Sequence, residues 1–157
     1  MKVRDLMQTE VRTCTLDTDL GTAARVMWDH DCGIVPVTDG GGRIAGVVTD
    51  RDICIAAATK DRAPSQIRVR EVMDQKPRTC GPDDDVRRAM EAMAEARVRR
   101  LPVVEKEKVR GILSLNDLIL RADAPDGRKA AGGITHADVV RVLQAISEHR
   151  IAIPGAA

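Results

Sequence analysis

Apolar and polar positions along this chain run through one cycle of patterns and then through it again. Leu20, Ala23, Ala24 and Met27 recur at helical spacing after Leu16-Asp17-Thr18-Asp19, whose short polar side chains suit a helix start. Gly33 closes that region. Ile34–Val37 and Ile44–Val48 are short apolar runs joined by Thr38-Asp39-Gly40-Gly41-Gly42-Arg43, a link that predicts a hairpin. Asp50–Ala58 reads as a second helix, and Arg12–Thr15 as a short extended segment ahead of the first. The second cycle has Thr79-Cys80 as the extended segment and Val86, Ala89, Met90 and Met93 as the helical stripe. Leu101–Val104 and Val109–Leu113 form its hairpin, and Leu115–Ala122 its closing helix. Both hairpins are apolar nearly throughout, which predicts cover on both faces of each small sheet.

The cycles match residue by residue. Val3–Thr38 moved forward by 66 positions onto Val69–Val104 gives 12 identities in 36. Among them are Met7/Met73, Arg12/Arg78, Cys14/Cys80, Asp19/Asp85, Met27/Met93 and Pro36/Pro102. After one residue is dropped in the following turn, Gly46 meets Gly111, Thr49 meets Ser114 and Asp52 meets Asp117. A period of about 65 residues exceeds a solenoid repeat and reads as a duplicated small domain. The expected divisions are repeat 1 over 1–60, a linker over 61–68 holding Pro64, and repeat 2 over 69–123. Residues 124–157 are read as a mobile Gly/Ala/Pro segment and a C-terminal helix. Thr135-His136-Ala137-Asp138 is a capping-box pattern, and Val139, Leu143 and Ile146 follow on one helical face.

Composition narrows the classes. The chain is 43% hydrophobic and 31% charged, a globular balance, and no apolar run reaches the roughly 18 residues of a membrane span. The N-terminus has no apolar stretch behind it, so a cytoplasmic location is expected. A net charge of +1 argues against nucleic acid, and one Trp with no Phe or Tyr leaves little for base stacking. The four cysteines form no Cys-x-x-Cys pair and the three histidines are scattered, which argues against zinc. Cys14 and Cys80 read as small buried hydrophobes. No Walker loop, Gly-x-Gly-x-x-Gly or Ser/His/Asp set is present, so catalysis is not expected.

The informative matched pair is Gly46-Val47-Val48-Thr49-Asp50-Arg51-Asp52 and Gly111-Ile112-Leu113-Ser114-Leu115-Asn116-Asp117. Each runs from strand to helix through a hydroxyl residue with a carboxylate three positions later. Two readings stand. Ser/Thr-x-x-Asp satisfies free helix amides as a capping box. The same helix tip attracts phosphate, and the carboxylate can accept both hydroxyls of a ribose.

The Gly-apolar-x-Ser/Thr-x-x-Asp pattern closes a strand–helix–strand–strand–helix unit. Together with Val35-Pro36-Val37 and Leu101-Pro102-Val103, it resembles the CBS domain, the cystathionine β-synthase repeat, in tandem as a Bateman module. The resemblance covers Val3 to Ala122. It implies an α/β (α+β) fold of two βαββα repeats packed about a pseudo-two-fold, with the C-terminal helix extra. It implies a non-catalytic sensor that binds an adenine nucleotide (AMP, ADP or ATP) or an adenosyl-type ligand between the repeats. It also implies a homodimer and a downstream protein partner. Carried over by position, Asp52 and Asp117 would hold ribose, and Thr49 and Ser114 phosphate. In the family a basic residue often precedes the Pro-Val strand; Arg99 and Arg100 fit, whereas repeat 1 has Gly33 and Ile34. Arg51 is a further phosphate candidate. The adenine would rest near Val11, Arg12, Thr13, Cys32, Gly33, Ile34, Pro77, Arg78 and Val98. A ligand-free adaptor is the alternative.

Overall fold

The computed structural model describes residues 1–122 and 133–148. The first unit is β1 (Cys14–Thr15), α1 (Leu20–Asp29), β2 (Ile34–Thr38), β3 (Ile44–Thr49) and α2 (Asp50–Thr59). The second is α3 (Val86–Ala96), β4 (Arg100–Glu105), β5 (Lys108–Ser114) and α4 (Leu115–Arg121), followed by α5 (His136–Ser147). β1 runs parallel to β2, and β2 pairs antiparallel with β3; β4 pairs antiparallel with β5. This is the expected α+β architecture. Every residue of β2 is buried, as its unbroken apolar run requires. In the first hairpin turn the Asp39 carboxylate accepts from the Gly41 and Arg43 amides, and Gly42 takes a φ of 75°.

One element differs from expectation. Thr79-Cys80 does not form a strand; Cys80 makes a single parallel bridge to Val103. Gly81 and Pro82 follow it, where repeat 1 has Thr15 and Leu16. Proline cannot donate to a ladder, so pairing stops after one residue.

The two hydrophobic cores do not respect the sequence repeats. Val3 and Leu6 pack with Val86, Met93, Leu101 and Leu113 of repeat 2. Ile67 and Val69 pack with Leu20, Val35 and Val48 of repeat 1. Each lead-in segment therefore covers the other repeat's core. The exchange is symmetric: Gln8 bridges Ile112, and the equivalent Asp74 bridges Val47. Lys2 bridges Asp85 while the equivalent Arg68 bridges Asp19. Lys2 and Arg4 also pair with Asp83. Burying Val3 completely contributes about 1.5–3 kcal/mol relative to leaving it exposed.

Gly46 and Gly111 mark the crossing points. A Cβ on Gly46 would lie 2.4 Å from the Asp74 carbonyl oxygen, and one on Gly111 would lie 2.6 Å from that of Gln8. No other residue admits a backbone that close. Met27 and Met93 sit in the cores, 6% and 0% exposed, whereas Trp28 is 87% exposed. The α5 helix lies on α3 through Val139 and Val142. The segment expected to be mobile falls almost wholly on residues 123–132, which, like 149–157, lie outside the described residues.

Candidate functional site

Both strand-to-helix motifs fold as capping boxes. The Asp117 Oδ2 atom accepts from the Ser114 amide at 2.7 Å and from the Ser114 hydroxyl at 2.6 Å. The Asp117 amide donates back to Ser114 Oγ at 3.2 Å. Thr49 and Asp52 repeat this geometry at 2.8, 2.6 and 3.3 Å. Thr135 and Asp138 repeat it a third time at the start of α5. The pattern thus serves helix starts in all three places.

What separates Asp117 from its equivalents is the distant partner of its second oxygen. Asp117 is 8% exposed, and Oδ1 accepts from the Gln8 side chain at 3.0 Å. Gln8 arrives on the exchanged segment that crosses Gly111. In repeat 1 the equivalent position holds Asp74, a carboxylate that cannot donate.

Ser114 and Asp117 open onto a cavity of about 400 Å3. Its walls come from both repeats. The segment leading to β1 supplies Gln8, Glu10, Val11 and Arg12. The end of α1 and the start of β2 supply His30, Asp31, Cys32 and Ile34. Repeat 2 supplies Arg100, Ile112, Ser114, Asn116 and Asp117. Arg100 stands opposite Ser114 in the β4–β5 register and lines the cavity with it. Burial pushes the Cys32 thiol pKa up, with Ile34 and Arg100 opposing, so the sulfur is a neutral wall and not a thiolate. Two arginines face three carboxylates here, a mixed lining suited to a ligand carrying both anionic and donor groups.

The profile of the CBS domain matches residues 3–58 and again 69–123. The chain belongs to the CBS-domain family. It is similar to the uncharacterized protein YlbB of Bacillus subtilis, 34% identical over 120 residues that cover 76% of this chain and 80% of that protein. In structure it is similar to a conserved CBS-domain protein of unknown function from Thermoplasma acidophilum. That match has a TM-score of 0.76 and 22% identity, covering 92% of this chain and 75% of that one. It is also similar to the CBS domain pair of protein MJ0100, solved with 5′-methylthioadenosine and S-adenosyl-L-methionine. There the TM-score is 0.70 and the identity 23%, over 76% of this chain and 94% of that one.

Within the CBS pair, the cavity brings together Val11, Arg12, Cys32, Ile34, Arg100, Ser114 and Asp117 among the residues singled out from sequence. The others lie elsewhere. Arg99 lines an adjoining space of about 400 Å3 with Arg100, Ser114, Asn116 and Leu143. Gly33 faces a groove on α1 and α2. Asp52 lines a small cavity of about 140 Å3 with Ile55, Thr59, Lys60 and Val72. Thr49 is engaged in its box, opposite Ile34 in the β2–β3 register. Arg51 is exposed, its amide donating to Asp50. Arg78 is exposed and paired with Glu95 at 2.8 Å. Thr13 is exposed, Pro77 is half-buried, and Val98 packs against the repeat 2 core.

Sequence reasoning missed Gln8, Glu10, His30, Asp31 and Asn116. Asn116 was available inside the Ser114–Asp117 motif. Gln8 carried no local signal, because only the exchange of lead-in segments places it beside Asp117. Among the described residues no helix is long and apolar enough to cross a membrane.

Proposed function

We propose that this protein is a non-catalytic sensor module. It binds an adenine nucleotide or related adenosyl ligand in the cavity bearing Ser114 and Asp117, and signals to a partner through the arrangement of its repeats. The observation that carries this reading is the convergence of Asp117, Ser114 and Arg100 with Val11, Cys32 and Ile34 of repeat 1 around one cavity. Its volume of about 400 Å3 falls in the range of small-molecule sites. The adenosyl ligands of the MJ0100 pair support the ligand class.

The chemistry follows from the donors. A ribose diol replaces Gln8 as donor to the Asp117 carboxylate, and Arg100 supplies charge for a phosphate or carboxylate. Val11, Cys32 and Ile34 offer a wall for the base. Because the walls belong to both repeats, a bound ligand favours the arrangement in which they close, and a partner that prefers that arrangement feels the ligand. The phosphate roles of Arg99 and Thr49, and a second site at Asp52, stay part of the proposal. Ile55 and Leu120 stand exposed at equivalent positions of α2 and α4, which supports a homodimer through these helices.

One observation favours the adaptor reading: Thr135 and Asp138 form the same box outside that cavity, so the motif needs no ligand. The two readings separate with a matched pair of variants. Asp117→Asn and Asp138→Asn disturb equivalent caps. The sensor reading expects Asp117→Asn to weaken AMP, ATP or S-adenosylmethionine binding at least about tenfold by calorimetry, and Asp138→Asn to leave it unchanged. Absence of any melting shift with these ligands at millimolar concentration supports the adaptor.

A further inference from the structure

Three helix starts carry the same box, and the three carboxylates differ in what meets their other oxygen. Asp138 Oδ1 meets Arg141 of its own helix at 3.5 Å. Asp74, the counterpart of Gln8, turns its carboxylate to the Lys76 amide at 2.9 Å, and it has no hydrogen to offer Asp52. Asp117 receives an uncharged donor, Gln8 Nε2, at 3.0 Å from 109 residues away. The box covered in this way is the one that opens on the cavity of about 400 Å3, and Gln8 lines that cavity beside Asp117.

The geometry separates what is fixed from what can turn. The Gln8 backbone exchanges two hydrogen bonds with Ile112, both at 2.9 Å, and its carbonyl lies against Gly111. It cannot withdraw without breaking this pairing with β5. The side chain is under no such constraint. Gln8 is exposed, whereas Asp117 is 8% exposed. A glutamine amide that swings outward regains water, but the carboxylate oxygen it leaves needs another donor. The Ser114 amide and hydroxyl already hold Oδ2, so an entering hydroxyl meets Gln8 at Oδ1.

Resting on the sensor reading above, we propose that Gln8 is a displaceable stand-in for the ribose. Its amide holds Asp117 Oδ1 until a vicinal diol enters, then turns into solvent while the lead-in backbone stays paired with β5. Competition from this tethered donor sets ligand affinity below that of the bare carboxylate, because only the fraction of molecules with Gln8 turned away is ready to bind. A ligand without the diol leaves Gln8 in place and gains nothing from its removal.

The test is calorimetry on the full chain with AMP, ATP and S-adenosylmethionine, each paired with its 2′,3′-dideoxy analogue. Gln8→Ala is expected to tighten a diol ligand that binds the natural protein by roughly three- to tenfold, and to leave the dideoxy analogue unchanged. Gln8→Met, which keeps the length and loses the donor, should do the same. Amide exchange over residues 3–8 should not change when ligand binds. A merely structural role would weaken diol and dideoxy ligands alike. Weaker or unchanged binding of the diol ligand in either folded variant therefore overturns the proposal and leaves the sensor reading standing. So does an equal gain for the dideoxy analogue, or faster exchange over 3–8 on binding. Absence of binding by all three ligands, in the natural protein and both variants, removes the sensor reading and this proposal with it.

Discussion

Gly46 and Gly111 show how a single side chain can decide a fold of this kind. A methyl group on either meets a carbonyl oxygen of the exchanged segment well inside contact distance. Gly46→Ala and Gly111→Ala should each destabilise the protein by about 1–3 kcal/mol in urea unfolding. Gly40→Ala should be close to neutral, since nothing lies within 4 Å of its Cβ. The cysteines divide in the same way. Burial raises the thiol pKa of Cys14 to about 11 and of Cys80 to about 12, while Cys54 is exposed. The reactive species is the thiolate. A disulfide reagent at neutral pH should therefore label Cys54 first, and should reach Cys14 and Cys80 only when the protein unfolds.

At the scale of elements, three helices begin with the same box, and each can be tested against the others. Ser114→Ala and Thr135→Ala should each cost about 0.5–2 kcal/mol. Losing the α5 cap should loosen α5 from α3, read as faster amide exchange over 136–147, without touching the cavity. The same cap gives a pH dependence. The backbone and hydroxyl of Thr135, then Arg87 and Arg141, hold the Asp138 carboxyl below its usual range. The amide and hydroxyl of Thr22 do the same for Asp19 at the start of α1. A carboxyl whose folded pKa lies below its unfolded value stabilises above the unfolded value of about 4. That contribution is lost as pH falls through the folded value. Urea midpoints should thus hold from pH 7 to pH 5 and fall below pH 4, less steeply in Asp138→Asn.

At the scale of the molecule, the exchange of lead-in segments ties the repeats together. Each core is completed by residues that belong, by sequence, to the other repeat. Leu6→Ala should cost about 2–5 kcal/mol. Its effect should appear in the wrong place for a simple tandem pair. Hydrogen-exchange protection should fall across β4, β5 and α3 more than across β2 and β3. The same exchange carries Gln8 to Asp117, so the candidate cavity exists only when both repeats are folded and crossed.

Much of this was legible in the chain because its causes are local. Alternating and helical apolar spacing set the hairpins and helices, Ser/Thr-x-x-Asp set three helix starts, and the duplication identified Thr49/Ser114 and Asp52/Asp117 as counterparts. Local causes also limit what could be read. Cys80 promised a strand by analogy with Cys14, and Pro82 reduced it to one bridge. Thr49 and Ser114 are indistinguishable in pattern, yet of the two only Ser114 lines the cavity that holds Arg100 and Asp117. Gln8, Glu10, His30 and Asp31 reach that cavity across long sequence separations, and no local preference encodes such a meeting. Sequence by itself determined the repeated elements and the chemistry at their junctions, since backbone propensity and capping act within a few residues. Tertiary structure decided which copy of that chemistry faces a cavity and which helical face is left open, since both depend on contacts between segments far apart in the chain.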